Sequence, residues 1–194
     1  MFIQPVPEHE APPAVADMYS ADRAAMGFLP GYTQVFSHHP DAYGAWRQLI
    51  SSIRGQMDAR RCELVTLAAA RALRSSYCST AHGKILAERW YDPDTVRQLV
   101  VDHSAAGLEH TDVVLMDFAT KVATDPTAVT ADDVDRLRQL GLSERDILDV
   151  VLAVAARCFF ATVVEALYAG PDRPLIEAVP EGLREVLLVG RSPA

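Results

Sequence analysis

Apolar positions recur at helical spacing along almost the whole chain. After Pro13, Val15, Met18 and Tyr19 begin one stripe. Leu29-Pro30-Gly31 interrupts it, and a short helix over 32–38 fits before the next proline. Pro40-Asp41 is a good helix start, and Tyr43, Trp46, Leu49, Ile50 and Ile53 then repeat at three and four, predicting a helix over 41–54. Gly55 closes it. Asp58 is a suitable N-cap for a helix to about residue 73, whose text CELVTLAAARAL is apolar nearly all round, as in a buried central helix. Further helices are predicted over 75–90, 93–101, 111–123, 130–141 and 143–169, separated by Asp92-Pro93, Gly107, Asp125-Pro126, Gly141 and Gly170-Pro171.

Strict alternation is absent outside the C-terminal tail, where 183–189 suits helix or strand. The expectation is an all-α, multi-helix bundle of about eight helices in one domain. Residues 1–13, with Pro5, Pro7, Pro12 and Pro13, read as an extended N-terminal arm. Residues 14–171 form the helical domain. Residues 172–194 form a tail whose Leu175, Ile176, Leu183, Val186 and Leu187 are costly to leave in water, so it is expected to pack on the domain or on a neighbouring subunit. One internal echo stands out: ELVTLAAAR (63–71) and DVVLAVAAR (149–157) are identical at four of nine positions, and Glu63 aligns with Asp149.

Composition narrows the function. The chain has 194 residues, enough for a sizeable core, and is 49% hydrophobic and 23% charged. With 18 basic and 26 acidic residues its formal charge is −8, and no basic patch appears, so nucleic acid is not an expected partner. Three cysteines do not make a disulfide framework. The N-terminus lacks a basic region followed by an apolar one, and no uninterrupted apolar run reaches the roughly 18–20 residues of a bilayer span. A soluble protein of the reducing cytoplasm is expected, with no membrane partner. No glycine-rich nucleotide loop occurs, and no cofactor is expected.

The candidate chemistry lies on two successive helices. Cys78 and His82 are four apart and share a helix face, with Ser75 on the same stripe. A helix starting at Ser75 or Ser76 puts Cys78 in its first turn, where unpaired N–H groups and the dipole favour a thiolate. An imidazole one turn on accepts the thiol proton or stabilises the anion. Each residue also has a plainer reading: a buried Cys is a small hydrophobe, and an i+4 His is a common coincidence. Glu63 sits between Cys62 and Leu64 inside the apolar helix, so it must be ion-paired, hydrogen-bonded or protonated. Either Arg71, Arg74 or Arg157 pairs with it, or it lies at an exposed edge, or it faces the Cys–His pair as a proton acceptor. Cys78, His82 and Glu63 are also plausible zinc ligands, although a thiol function accounts for the pattern without metal. Trp46 and Phe28 are core residues or pocket walls.

The arrangement Glu63, Ser75, Cys78, His82 resembles the E-x11-C-x2-C-x3-H pattern of the AhpD-like alkylhydroperoxidases in the carboxymuconolactone decarboxylase superfamily. The flanking text SSYCSTAHGKILAE and the later DVVLAVAARCFFATVVEAL are similar to the peroxidase-related branch. The resemblance covers roughly residues 25–170. It implies an all-α fold, a homo-oligomer (dimer, trimer or hexamer), and thiol-dependent reduction of a small hydroperoxide. It further implies that Cys78 is the reactive thiol, with Glu63 and His82 as proton relay. Position 75, where the family pattern has its first cysteine, is serine, and Tyr77 stands where some members carry histidine. Ser75 closes no disulfide, so an external thiol is expected to resolve oxidised Cys78, unless Cys62 or Cys158 approaches. Two other readings stay open: an acid–base enzyme using His82 and Glu63 on a small organic acid, and a non-catalytic oligomeric scaffold or binding protein.

Overall fold

The computed structural model describes residues 1–193. It contains eleven α-helices: α1 (Pro13–Met26), α2 (Gly31–Val35), α3 (Pro40–Arg54), α4 (Ala59–Ala72), α5 (Ser76–Arg89), α6 (Pro93–Asp102), α7 (His110–Thr124), α8 (Ala131–Gln139), α9 (Glu144–Ala166), α10 (Arg173–Glu177) and α11 (Glu181–Leu187). Four 3-10 turns join them, and no strand occurs among the described residues. The all-α, single-domain expectation holds. The count of about eight was too low, because the tail holds two helices, α10 and α11, of only five and seven residues; α2 falls in the predicted 32–38. Helices that short are too brief for a 3.6-residue period to show.

Local chemistry sets the long helices. Proline occupies the first turn of α1, α3 and α6, where its missing N–H costs nothing. Asp58 caps α4 by accepting the Arg61 N–H. Thr130 with Asp133, and Ser143 with Asp146, form reciprocal capping boxes that start α8 and α9.

The apolar faces fill two adjoining cores. The larger gathers α4, α6, α7, α9 and α11 around Leu64, Leu67, Leu99, Met116, Val154 and Leu183. The smaller gathers α1, α2 and α3 with the start of α5, and includes Val15, Tyr43, Tyr77, Cys78 and Phe160. Helix α4 is central and packs on α5, α7 and α9. Helix α9 is long and apolar enough to cross a bilayer by length and composition, although Arg157 divides it so that no uninterrupted apolar run is that long. Here its buried side chains, Val150, Val154, Phe160 and Val164 among them, belong to both cores.

The two ends of the chain meet. The Phe2 N–H donates to the Leu167 carbonyl, the Phe2 ring stacks on Tyr168, and Arg191 covers both rings. Leu183 and Leu187 of α11 are fully buried. A Cβ at Gly83 would run into the Leu187 methyls, so α5 carries glycine where α11 crosses it.

Candidate functional site

Four helices bring the site together. Helix α5 begins at the cap residue Ser75, whose Oγ accepts the Cys78 N–H at 3.3 Å. Cys78 therefore lies in the first turn and His82 one turn further on. Helix α4 carries Glu63 alongside. Its Oε2 meets His82 Nδ1 at 2.5 Å. Its Oε1 pairs with Arg54 from the last turn of α3. None of the three arginines expected from sequence makes an ion pair with Glu63. From α9, Arg157 Nη1 donates to Cys78 Sγ at 3.4 Å.

These groups are nearly sealed from water: Cys78 is 1% exposed, His82 5%, Glu63 6% and Arg157 6%. Burial pushes the Glu63 carboxyl up, but His82, Arg54 and Arg157 outweigh it, and its pKa ends below the ordinary value. Burial pulls His82 down to about 4, with Arg157 and Arg54 acting in the same direction against Glu63. At neutral pH the pair is thus a carboxylate and a neutral imidazole. Glu63 fixes the tautomer by accepting from Nδ1–H, which leaves Nε2 as a base. Nε2 has no hydrogen-bond partner among the described residues. The Cys78 sulfur is hydrogen-bonded to Arg157 and not to His82.

A cavity of about 140 Å³ lies against these groups. Cys78, His82 and Arg157 line it together with Tyr32, Trp46, Tyr77, Phe160, Ala81 and Met26. The walls are rigidly held. Trp46 stacks on Phe160 with centroids 4.4 Å apart, and its Nε1–H donates to the Ala156 carbonyl at 3.0 Å. Tyr32 meets the edges of Tyr77 and Phe160. The Tyr77 hydroxyl donates to Asp172, which also accepts the Gly31 N–H. Burial and Asp172 push the Tyr77 hydroxyl far up, so it stays protonated. Phe28 packs on the smaller core and is not part of this wall.

Glu63, Cys78 and His82 thus converge, with Ser75 as helix cap and Tyr77 as wall. Cys62 and Cys158 do not line the cavity, and burial raises both thiols. Among the described residues no group of three or more His, Cys, Asp or Glu is arranged to hold a metal. Sequence reasoning missed Arg54 altogether and assigned Arg157 only as a partner for Glu63. Arg157 had a signal, being the one charge between Asp149 and Glu165 in an otherwise apolar stretch.

No family model and no curated protein matches the chain. Solved structures do. The chain is similar to the alkylhydroperoxidase AhpD core of an uncharacterized peroxidase-related protein from Ralstonia eutropha JMP134, with 24% identity, TM-score 0.78, and coverage of 98% of this chain and 96% of that one. An uncharacterized peroxidase-related protein from Silicibacter sp. TM1040 follows at 19% identity and TM-score 0.73, covering 90% of this chain and 91% of its own. A cysteine-to-alanine variant of the debrominase Bmp8, in complex with 2,3,4-tribromopyrrole, matches at 16% identity and TM-score 0.76, over 96% of this chain and 97% of that one. The fold is therefore that of AhpD-like, peroxidase-related proteins, and the debrominase carries a different activity on it.

Proposed function

We propose that the protein is a one-cysteine peroxidase that reduces a small organic hydroperoxide with Cys78. The observation that carries this is the position of the Cys78 sulfur. It sits in the first turn of α5, 3.4 Å from a buried guanidinium, on a cavity shared with a neutral imidazole whose tautomer is held by Glu63. A cationic donor and a helix N-terminus both favour negative charge on sulfur.

His82 Nε2 takes the thiol proton, directly or through the bound hydroperoxide. The thiolate attacks the terminal peroxide oxygen, a sulfur–oxygen bond forms, and the oxygen–oxygen bond breaks. The departing alkoxide receives the proton from His82 and leaves as an alcohol, while Cys78 becomes a sulfenic acid. Glu63 stays ionised and holds the imidazole through the proton's transit. Ser75 offers no sulfur to the oxidised residue. An external thiol condenses with the sulfenic acid, releasing water, and a second thiol frees Cys78 as the reductant becomes a disulfide. We further propose a homo-oligomer working in a reducing cytoplasm, where such thiols are abundant.

The test is to treat the protein with hydrogen peroxide and with a small organic hydroperoxide and to locate the product by mass spectrometry. Sulfenic acid or a mixed disulfide at Cys78, suppressed in His82→Ala, supports the reading. A Cys78 no more reactive than a free model thiol overturns it. A second reading has its own support, the missing Cys78–His82 hydrogen bond. It makes His82 and Glu63 an acid–base pair acting on a small organic acid, and it gains if the thiol is inert while turnover of such an acid depends on Glu63.

A further inference from the structure

Arg157 has more hydrogen-bonding capacity than its neighbours use. A guanidinium carries five N–H donors. Here one is engaged, from Nη1 to the Cys78 sulfur. Nε is buried without any partner, and Nη2 makes no hydrogen bond. One face lies over the Phe160 ring at 5.4 Å. No carboxylate is ion-paired with it: the nearby Glu63 is occupied by Arg54 and His82. Two cations, Arg54 and Arg157, meet one carboxylate, Glu63, and the cation that is buried is Arg157; a second carboxylate, Asp172, lies behind the Tyr77 hydroxyl from which it accepts. A buried charge with idle donors is costly unless an anion meets it.

The shape of the space beside it limits what that anion is. At about 140 Å³ the cavity is close to the size that accepts one benzene ring. Trp46, Tyr32, Tyr77 and Phe160 present aromatic surface, and Ala81 leaves room between them. The forked, planar guanidinium matches a planar carboxylate in two-point contact. We propose that this cavity binds a small organic carboxylate carrying a single ring or an apolar group of that size, with the carboxylate on Arg157 and the ring among the aromatic walls. Tyr77, protonated and tied to Asp172, and neutral His82 add no negative charge that would repel it. This deepens the function proposed above and rests on it only in taking the cavity at Cys78 as the substrate site. The hydroperoxide reduced there would then be an acid.

Benzoate is the probe, with benzamide as its neutral counterpart. Binding is read by titration calorimetry and by the slowing of iodoacetamide modification at Cys78. Benzoate is expected to bind saturably and to protect Cys78, with benzamide weaker by about tenfold or more, the worth of a charge-assisted pair. Arg157→Met is expected to abolish that preference. Arg157→Lys, which keeps the charge but not the fork, is expected to retain part of it. Since the comparison of the two probes needs only the wild-type protein, it stands if the variants do not fold. Equal affinity for benzoate and benzamide, or no benzoate binding, overturns the proposal. An inert thiol in a protein that prefers benzoate would therefore count against the peroxidase reading alone, and a reactive thiol without that preference against this one alone.

Discussion

Replacing Glu63 by glutamine tests the link between the buried carboxylate and the reactive thiol. Glu63 accepts from two donors at once, Arg54 on Oε1 and His82 Nδ1–H on Oε2. Glutamine has one carbonyl oxygen. Arg54 has donors and no acceptor and keeps it, so the amide N–H₂ turns toward His82. Nδ1 must then accept, and the ring proton moves to Nε2. The nitrogen without a protein partner becomes a donor and loses its ability to take the thiol proton. A charge-assisted contact is also lost at a site 6% exposed, at a cost of about 1–3 kcal/mol. For a chain of this size that lowers Tm by roughly 2–12 °C. Since a positioned base contributes about 10²–10⁴-fold, oxidation of Cys78 by organic hydroperoxide is expected to slow by at least about 100-fold. Three assays follow: a thermal melt, stopped-flow oxidation of Cys78, and nitrogen NMR of the His82 ring for its tautomer. With His82→Ala already present, Glu63→Gln should slow the reaction little further, because both act through one proton path. A folded Glu63→Gln protein that oxidises Cys78 at the wild-type rate would refute the relay.

Three other outcomes are expected. Stability should fall as pH drops from 6.5 toward about 4, because the folded chain holds His82 neutral while the unfolded chain protonates it in that window. Glu63, lowered on folding, adds the same sign from its ordinary 4.5 downward; a His82→Gln protein should show a flatter Tm–pH curve, and an unchanged curve would contradict the buried neutral imidazole. Leu187→Ala removes a fully buried side chain from α11 and should cost about 2–5 kcal/mol, read as an earlier melt and as early tryptic cleavage in the tail. Ser75→Cys should form a disulfide with Cys78 on oxidation, seen as a loss of two hydrogens in the intact mass, and should weaken the α5 cap by about 1 kcal/mol; no disulfide under excess peroxide would contradict the role given to position 75.

Much of the scaffold was legible because its signals are local. Asp58, Ser75, Thr130 and Ser143 mark helix starts by their own cap bonds, and the structure puts each start within a residue or so of the predicted one. The alignment of Cys78 with His82 follows from helical geometry once α5 begins at Ser76. What the sequence could not convey is how helices cross. Arg54, at the end of α3, reaches Glu63 nine residues on through the direction in which the turn over 55–58 sets α4, and Arg157 meets Cys78 across 79 residues of chain. The tail was ambiguous for a related reason. Helices α10 and α11 owe their form to burial of Leu175, Leu183 and Leu187 against earlier elements, not to a period of their own.

The echo between 63–71 and 149–157 shows how one helical text serves two ends. Both segments lie in central helices, α4 and α9, that pack on each other. Their first residues diverge: Glu63 is buried between His82 and Arg54, whereas Asp149 only approaches Arg145, at 3.8 Å. Their last residues diverge as well. Arg71 donates to the Val186 carbonyl and holds the tail, and burial lowers it. Arg157, in the matching position, turns to the cavity and to the Cys78 sulfur. The apolar residues between are interchangeable packing. The charged ends take their work from whatever the fold puts opposite them, a carbonyl in one case and a thiol in the other. That is why spacing alone picked out Glu63 but left Arg157 as one of three possible partners for it. It also sets the outcome of exchanging each arginine for methionine: at 71 the loss should appear in stability and tail proteolysis, and at 157 in the reactivity of Cys78. An Arg157→Met protein with undiminished Cys78 oxidation would place the guanidinium with the packing and take it out of the chemistry.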